Sequence, residues 1–337
     1  MLRMLRMLRP LPILAFVLLG GAACQPSSLS GREGAGREPA PGVSAAAPAS
    51  PSSAPIVAAA PATPASGSAA SPGIPGHHHD VAAPELVHFD GKRGKLGGFL
   101  YKPEGPGPFP AIVFNHGSEK LPGNKYGQAL FYVPHGFVLF VPHRLGHGQS
   151  PGDYIVDARD REPADRQAQA LVSLLDAQVD DVADATAYLE ALPFVNRAAV
   201  AMVGCSFGGI ETLLASERDL GVRAAVDFAG AAMTWGENTP LQVRMRAAAR
   251  RSRVPVFFAQ AANDFDTRPS LELAREMDSA GKPHALRIFP ATGSTAEDGH
   301  AFCAGGMQPP WGDDVIAFLA EHGIQGKPRS TVKTPVP

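Results

Sequence analysis

A serine flanked by glycines constrains this sequence more than any other feature. The pentapeptide Gly-Cys-Ser-Phe-Gly at residues 204–208 follows an apolar run at 199–203 and precedes a helical pattern that includes Ile210 and Leu213. Gly-x-Ser-x-Gly between a strand and a helix is typical of a sharp turn that lifts the serine hydroxyl above a sheet. Larger side chains two residues to either side would collide at such a turn, which explains the glycines. The pattern predicts a buried strand that leads directly into a helix at Ser206.

Further short apolar runs alternate with helical patterns on both sides of this turn. Runs of this length suit strands that are buried on both faces, as in a parallel sheet, and the first two predict an opening hairpin. Their alternation with helices predicts a doubly wound α/β fold whose active site lies at the carboxyl ends of the strands. The runs occupy residues 86–89, 98–101, 111–114, 137–141, 199–203, 224–228, 254–259 and 285–289.

Two helices can be outlined from their apolar stripes. The longer stripe steps by four and three residues from Leu175 to Leu189, and this helix should end near Pro193 because proline cannot continue it. The last helix carries a stripe at residues 315–319, with Asp313 as its predicted N-cap and Gly323 as its stop.

A serine hydroxyl becomes a strong nucleophile only when a base takes its proton. In folds with this turn the chain order is serine, then acid, then histidine. His300 follows the last apolar run and is the predicted base. The acid should follow the run at 254–259, where Asp264 is the nearer candidate and Asp266 is the alternative, which we interpret as a turn or cap residue. The carboxylate would fix the tautomer of the imidazole and stabilise the imidazolium.

The transition state of such a reaction also needs N–H donors for the developing oxyanion. The tetrapeptide Asn-His-Gly-Ser at residues 115–118 follows the apolar run at 111–114, which places a backbone turn beside the serine turn. We predict that the backbone N–H groups of Ser118 and Phe207 form the oxyanion hole. His116 is the wrong histidine in chain order, and we interpret it as structural.

The N-terminal residues predict export. Three arginines, an apolar run at 11–19 and small residues up to Ala23 are typical of a signal peptide at residues 1–24. Cys24 directly after the small residues resembles a lipoprotein signal, which predicts a membrane tether, whereas an ordinary signal peptidase would give a secreted or periplasmic protein. Residues 25–84, dominated by Ala, Pro, Ser and Gly, predict a disordered linker. The globular domain is predicted at 85–324 and a flexible tail at 325–337.

Composition narrows the classes of partner and cofactor. The formal net charge of −2 does not favour a nucleic-acid partner. The three cysteines are too few for a disulfide framework, no pair has metal-ligand spacing, and the side chain of Cys205 is expected to point away from the site. The histidines at 77–79 are interpreted as part of a solvated linker. We therefore expect neither a metal nor an organic cofactor.

Several segments together resemble the dienelactone hydrolase family of α/β-hydrolases, over most of the predicted domain. The serine turn and the Gly-His-Ala-Phe segment at 299–302 are the most specific. The other matching segments are the early strand at 96–100 that leads into Tyr101-Lys102-Pro103, then Phe109-Pro110-Ala111, His116-Gly117, residues 144–148, and Asn263-Asp264.

This resemblance implies the α/β-hydrolase fold, a mostly parallel central sheet with helices on both faces, and a triad of Ser206, Asp264 and His300. Dienelactone hydrolases proper use a cysteine nucleophile, and this chain has Ser206 in that place. The resemblance therefore implies a carboxylic ester hydrolase with a small-molecule ester as substrate, without naming the ester.

Residues 231–253 occupy the region where this fold often carries a lid. They include Met233, Trp235 and five arginines. The segment could form a wall of the acyl pocket that attracts acidic substrates or an anionic membrane, or it could be a solvated helix whose apolar side faces inward. For the whole chain, a serine peptidase, an acyltransferase and a non-catalytic binding lipoprotein remain alternatives to an esterase.

Overall fold

The computed structural model describes residues 81–327. The predicted signal, Cys24, the linker up to residue 80 and the end of the tail lie outside the described residues. The described part contains eight strands: β1 (Glu85–Gly91), β2 (Gly94–Tyr101), β3 (Phe109–Asn115), β4 (Val138–His143), β5 (Val195–Cys205), β6 (Ala224–Phe228), β7 (Val256–Ala261) and β8 (His284–Phe289).

All eight strands form one sheet in the order β1-β2-β4-β3-β5-β6-β7-β8. β1 and β2 form the predicted antiparallel hairpin, and β2 also pairs antiparallel with β4. Every pairing from β4 through β3 to β8 is parallel. The carboxyl ends of β3, β5 and β7 therefore lie at the same edge, although long stretches of sequence separate them.

Helices cover both faces of the sheet, as the mostly parallel α/β architecture requires. Strand residues alternate between the two faces: Ala111 and Val113 of β3 enter one core, and Ile112 and Phe114 enter the other. The helices are α1 (Tyr126–Tyr132), α2 (Ile155–Asp160), α3 (Gln167–Glu190), α4 (Phe207–Ser216), α5 (Thr239–Arg251), α6 (Arg268–Ser279), α7 (Ala296–His300) and α8 (Gly312–Glu321), with single 3-10 turns at Trp235–Glu237 and Ala301–Ala304.

The helices bury the stripes that the sequence predicted. α3 places Leu175, Val179 and Leu189 in the first core, and α8 places Val315 and Leu319 in the second. The predicted N-cap of α8 is wrong by two residues. Trp311 occupies that position, and Asp313 lies in the first turn, where the positive end of the helix dipole stabilises a carboxylate.

None of the helices between residues 81 and 327 has the length and apolar character needed to cross a membrane.

Candidate active site

The serine turn has the strained geometry that its sequence predicts. Ser206 has a φ of 58° and a ψ of −119°, a backbone region that residues other than glycine rarely adopt. Its N–H donates to the carbonyl of Phe228 at 2.9 Å, which ties the turn to the neighbouring β6. A Cβ at Gly204 would lie 1.9 Å from the carbonyl oxygen of Gly208, so only glycine lets β5 and α4 approach this closely.

His300 reaches the serine from the end of α7. Its Nε2 lies 2.9 Å from Oγ of Ser206, and its Nδ1 lies 2.9 Å from Oδ1 of Asp264. A Cβ at Gly299 would lie 2.6 Å from the backbone of Asn263, so the glycine lets α7 pack on the turn that carries the acid. A capping box between Thr295 and the residue three positions later begins this short helix.

Of the two predicted acids, Asp264 is the one that contacts the histidine. Its carboxylate is fully buried, and it also accepts hydrogen bonds from Nε2 of Gln260 at 2.8 Å and from the N–H of Phe265 at 2.7 Å. Asp266 instead accepts from the N–H of Arg268 and pairs with its guanidinium. Asp266 therefore has the turn and cap contacts that the sequence suggested.

The backbone loop after β3 lies beside the serine and is held by side chains from elsewhere. Arg144 donates to the carbonyls of His116 at 3.0 Å and Gly117 at 2.9 Å, and Tyr154 donates to the carbonyl of Ser118 at 2.6 Å. A trans peptide points its N–H opposite to its carbonyl. With the Gly117 carbonyl directed at Arg144, the N–H of Ser118 is directed away from that guanidinium.

The role of Arg144 is not evident from the sequence. Its side chain is 1% exposed, it donates from Nε to Gln178, and its Nε lies 3.8 Å from the fully buried carboxyl of Glu211. Burial raises the pKa of Glu211 to about 8, and the charge of Arg144 opposes that rise. Arg144 directly follows β4, and Glu211 lies within α4. The sequence signal for the arginine is its place in the family-like segment at 144–148, and no pattern marks Glu211.

His116 has the structural contacts that the sequence predicted. Its Nδ1 lies 2.9 Å from the Gly117 carbonyl, and its Nε2 accepts from the N–H of Arg144 at 3.4 Å. Complete burial and the nearby Arg144 charge hold the pKa of His116 well below its usual value. A neutral ring with its proton on Nδ1 satisfies both contacts, so His116 braces the loop.

A cavity of about 390 Å³ opens above Ser206. At its wall, Lys125 pairs with Glu119 at 2.8 Å. Burial disfavours the charged carboxylate of Glu119, but the charge and hydrogen bond of Lys125, together with a backbone hydrogen bond and the charge of Arg144, outweigh burial and lower its pKa. The pair therefore contributes no net charge to the cavity. Other lining residues are Phe114, Gly117, Ser118, Cys205, Met233, His300 and Cys303.

The expectation for Cys205 is wrong. Its side chain lines the cavity and forms a disulfide with Cys303 across 98 residues of sequence. Three cysteines are too few for a disulfide framework, but they allow this single bond. The bond forms because β5 and the turn after α7 meet at the same edge of the sheet, with the two Cα atoms 6.0 Å apart, a separation within the usual range for a disulfide.

The segment at 231–253 contributes both to the cavity wall and, through α5, to the core. Met233 lines the cavity, whereas α5 buries Leu241, Met245 and Ala248 in the core. The arginines of α5 pair with acids on neighbouring helices, so they form an ion-pair network and not an unpaired basic surface. These pairs are Arg244 with Asp176 and Glu217, Arg246 with Glu272, Arg250 with Glu276, and Arg251 with Glu217.

Within the described range, no three His, Cys, Asp or Glu side chains are grouped so that they could hold a metal ion.

Solved structures share this fold. An acylaminoacyl peptidase of Pyrococcus horikoshii matches with a TM-score of 0.56 at 17% identity, over 75% of this chain and 43% of the peptidase. Dipeptidyl peptidase 4 of Porphyromonas gingivalis matches with a TM-score of 0.52 at 14% identity, over 71% of this chain and 35% of that one. An esterase of Pyrococcus furiosus matches with a TM-score of 0.52 at 12% identity, over 72% and 92%. This chain spans less than half the length of the two peptidases, and at these identities the likeness shows the fold alone.

Sequence comparison is more specific. No curated protein matches the sequence. The dienelactone hydrolase family matches it over residues 96–311, which is most of the described domain. This range contains the serine turn, the acid, the histidine and the loop after β3. The chain therefore belongs to the dienelactone hydrolase family and has the α/β-hydrolase fold.

Proposed function

We propose that the protein hydrolyses a carboxylic ester through an acyl-enzyme on Ser206. The observation that carries the proposal is the unbroken hydrogen-bond chain from Asp264 through His300 to Ser206, with both contacts to the imidazole at 2.9 Å. A hydroxyl placed against a neutral imidazole can lose its proton as it attacks a carbonyl.

The reaction runs in two steps on these groups. Oγ of Ser206 attacks the ester carbonyl while Nε2 of His300 takes the hydroxyl proton. Asp264 stabilises the imidazolium, which then donates its proton to the leaving alcohol. Water enters, loses a proton to the same Nε2, and attacks the acyl-enzyme to release the acid.

The backbone N–H groups of Ser118 and Phe207 are the proposed oxyanion donors. Phe207 is the first residue of α4, so its N–H has no acceptor within the helix and the positive end of the helix dipole adds to it. Ser118 lines the same cavity, with its carbonyl held by Tyr154. One such donor is worth roughly 10²–10³ in rate.

The cavity supports a small, uncharged ester as the substrate. Its volume of about 390 Å³ is at the lower end for ligand sites, and the Lys125–Glu119 pair presents no net charge. Phe114 and Met233 contribute apolar surface for an acyl or alcohol group. These features favour short acyl chains.

The test is a series of p-nitrophenyl esters of increasing chain length, assayed with the full chain and with Ser206→Ala. We expect turnover to be highest on the short chains and to be abolished by the substitution. Turnover that survives Ser206→Ala would contradict the mechanism. A panel of anilides and of acceptor alcohols in the same assay would identify a peptidase or an acyltransferase instead, and a chain that never reacts with a fluorophosphonate would be a binding protein.

We also propose that the protein is exported and tethered to a membrane through a lipid on Cys24. The basic residues, the apolar run and the position of Cys24 support this proposal. Fractionation of expressing cells should find the protein with the membranes, and Cys24→Ser should release it. An unmodified cysteine in the mass spectrum of the mature protein would contradict the tether.

A further inference from the structure

The Cys205–Cys303 disulfide joins sequence neighbours of the two residues that must exchange a proton. Cys205 ends β5 and directly precedes Ser206, and Cys303 follows His300 by three residues. The bond therefore joins the strand that carries the nucleophile to the segment that carries the base. No step of the proposed reaction uses either sulfur.

The segment that carries His300 contacts the sheet by side-chain packing and not by strand pairing, since Phe302 packs on Phe228 of β6 and on Phe289 of β8. α7 has five residues and leads into the 3-10 turn at Ala301–Ala304, and neither pairs with a strand. The carbonyl of Cys303 accepts from Gln128 at 2.5 Å, and that of Phe302 accepts from Trp311 at 3.0 Å. Among the described residues the disulfide is the only covalent cross-link that this segment makes.

The bond also faces the cavity. Cys205 and Cys303 line the same cavity as Ser206 and His300. Cys303 is 6% exposed and Cys205 is half-buried, so a reagent small enough to enter the cavity can reach the bond through Cys205.

We propose that this disulfide is a positioning element that holds the imidazole of His300 within hydrogen-bond reach of Ser206, so that the reduced enzyme has a lower kcat. The proposal rests on the ester hydrolysis proposed above. The physical reason is the steep dependence of proton transfer on geometry, because a displacement of about 1 Å at reacting groups can cost about 10²-fold in rate. Without the bond, only packing and hydrogen bonds hold the short α7 segment, which allows it to shift relative to β5 by fractions of that distance.

The redox chemistry is ordinary thiol–disulfide exchange. A thiolate of a dithiol such as dithiothreitol attacks one sulfur, and the other cysteine leaves as a thiolate and takes a proton. The second thiol of the reagent then displaces the first cysteine and closes the reagent into a cyclic disulfide. Two electrons and two protons pass from the reagent to the two cysteines. Oxidised glutathione reverses the reaction and accepts them.

The experiment compares the oxidised and the reduced full chain on p-nitrophenyl acetate, at a temperature where circular dichroism shows both forms to be folded. We expect reduction to lower kcat at least tenfold and to change KM less than threefold, because the cavity remains while the base is misplaced. The rate of labelling by a fluorophosphonate should fall by a similar factor. Oxidised glutathione should restore both rates.

Matched variants separate positioning from nonspecific effects of the reagent. Cys205→Ser and Cys303→Ser should each have the reduced kcat and show no response to dithiothreitol. Cys24→Ser changes the third cysteine of the chain, and it should keep both the full kcat of the oxidised enzyme and its loss on reduction.

Three results would overturn the proposal. Iodoacetamide could modify both cysteines in the folded, unreduced protein, which would mean that the bond does not form. Reduction could free both thiols and leave kcat and the labelling rate unchanged. Reduction could also lower only the melting temperature, which would make the bond structural alone. If instead the oxidised enzyme hydrolyses no ester, the proposed function fails, and the labelling rate still tests whether the bond positions the imidazole.

Discussion

Substitution of Asp264 by asparagine tests the assignment of the acid most directly. The buried carboxylate has three donors around it: Nδ1 of His300 at 2.9 Å, the N–H of Phe265 at 2.7 Å and Nε2 of Gln260 at 2.8 Å. The hydroxyl of Ser270 donates to Oε1 of Gln260 and thereby fixes which end of that amide faces the acid. An asparagine amide offers one oxygen and one NH₂ group, so one donor must face another donor in either orientation.

The size of the effect follows from the charge that is lost. The imidazolium formed in the transition state has its charge centre about 4 Å from that of the carboxylate, where the attraction is about 4 kcal/mol at an effective dielectric constant of 20. Because about 1.4 kcal/mol corresponds to a factor of ten, Asp264→Asn should lower kcat/KM about 10³-fold. The unpaired donor adds a loss of about 1–3 kcal/mol in the free energy of unfolding.

Steady-state hydrolysis of p-nitrophenyl acetate measures this loss, and Asp266→Asn is the matched control. Asp266 lies two residues further along the same loop and pairs with Arg268, away from the imidazole. The control should change kcat/KM less than threefold. An Asp264→Asn enzyme within tenfold of the wild type, or an equal loss in Asp266→Asn, would refute the assignment of the acid.

Three further predictions concern stability. Gly204→Ala should prevent folding or lower the melting temperature sharply, because its Cβ meets the α4 backbone, whereas Gly236→Ala meets only a flexible side chain and should be nearly neutral in the same thermal melt. Arg144→Met should lower the free energy of unfolding in urea by about 3–5 kcal/mol, since it leaves the buried carboxyl of Glu211 and the carbonyl of His116 without their partner and removes one of two donors to the carbonyl of Gly117. The half-exposed Arg250→Met should cost less than about 1 kcal/mol. Burial raises the pKa of Asp227 to about 7, so the folded state holds a proton that the unfolded state releases near pH 4, and stability should fall as pH rises from about 4 to 7. Asp227→Asn should remove that loss, which reaches about 4 kcal/mol at pH 8. Equal profiles of melting temperature against pH for the variant and the wild type would contradict this reasoning.

The strands and the serine turn could be predicted because their signals are local. Residues 224–228 form an apolar run that coincides with β6, and the glycines at 204 and 208 mark the turn wherever the chain goes afterwards. Boundaries moved where tertiary contacts extended an element. β5 begins at Val195, several residues before its apolar run, since its first residues pair with the start of β3.

Chain order and local pattern also identified the residues that meet at the site. Ser206, Asp264 and His300 each follow a recognisable strand, and the carboxyl ends of parallel strands lie at one edge of a sheet. That topological rule is enough to expect the three side chains near one another, and their contacts at 2.9 Å agree with it.

The sequence by itself thus determined the α/β class, the turn at Ser206 and the set of candidate reacting groups, because periodicity, glycine spacing and chain order are properties of neighbouring residues. Only the tertiary structure decided that Cys205 pairs with Cys303, that Arg144 is buried against Glu211 and holds the loop before Ser118, and that Asp264 rather than Asp266 reaches the histidine. The physical reason is that these contacts join side chains from separate elements, and their distances depend on how the strands and helices pack together.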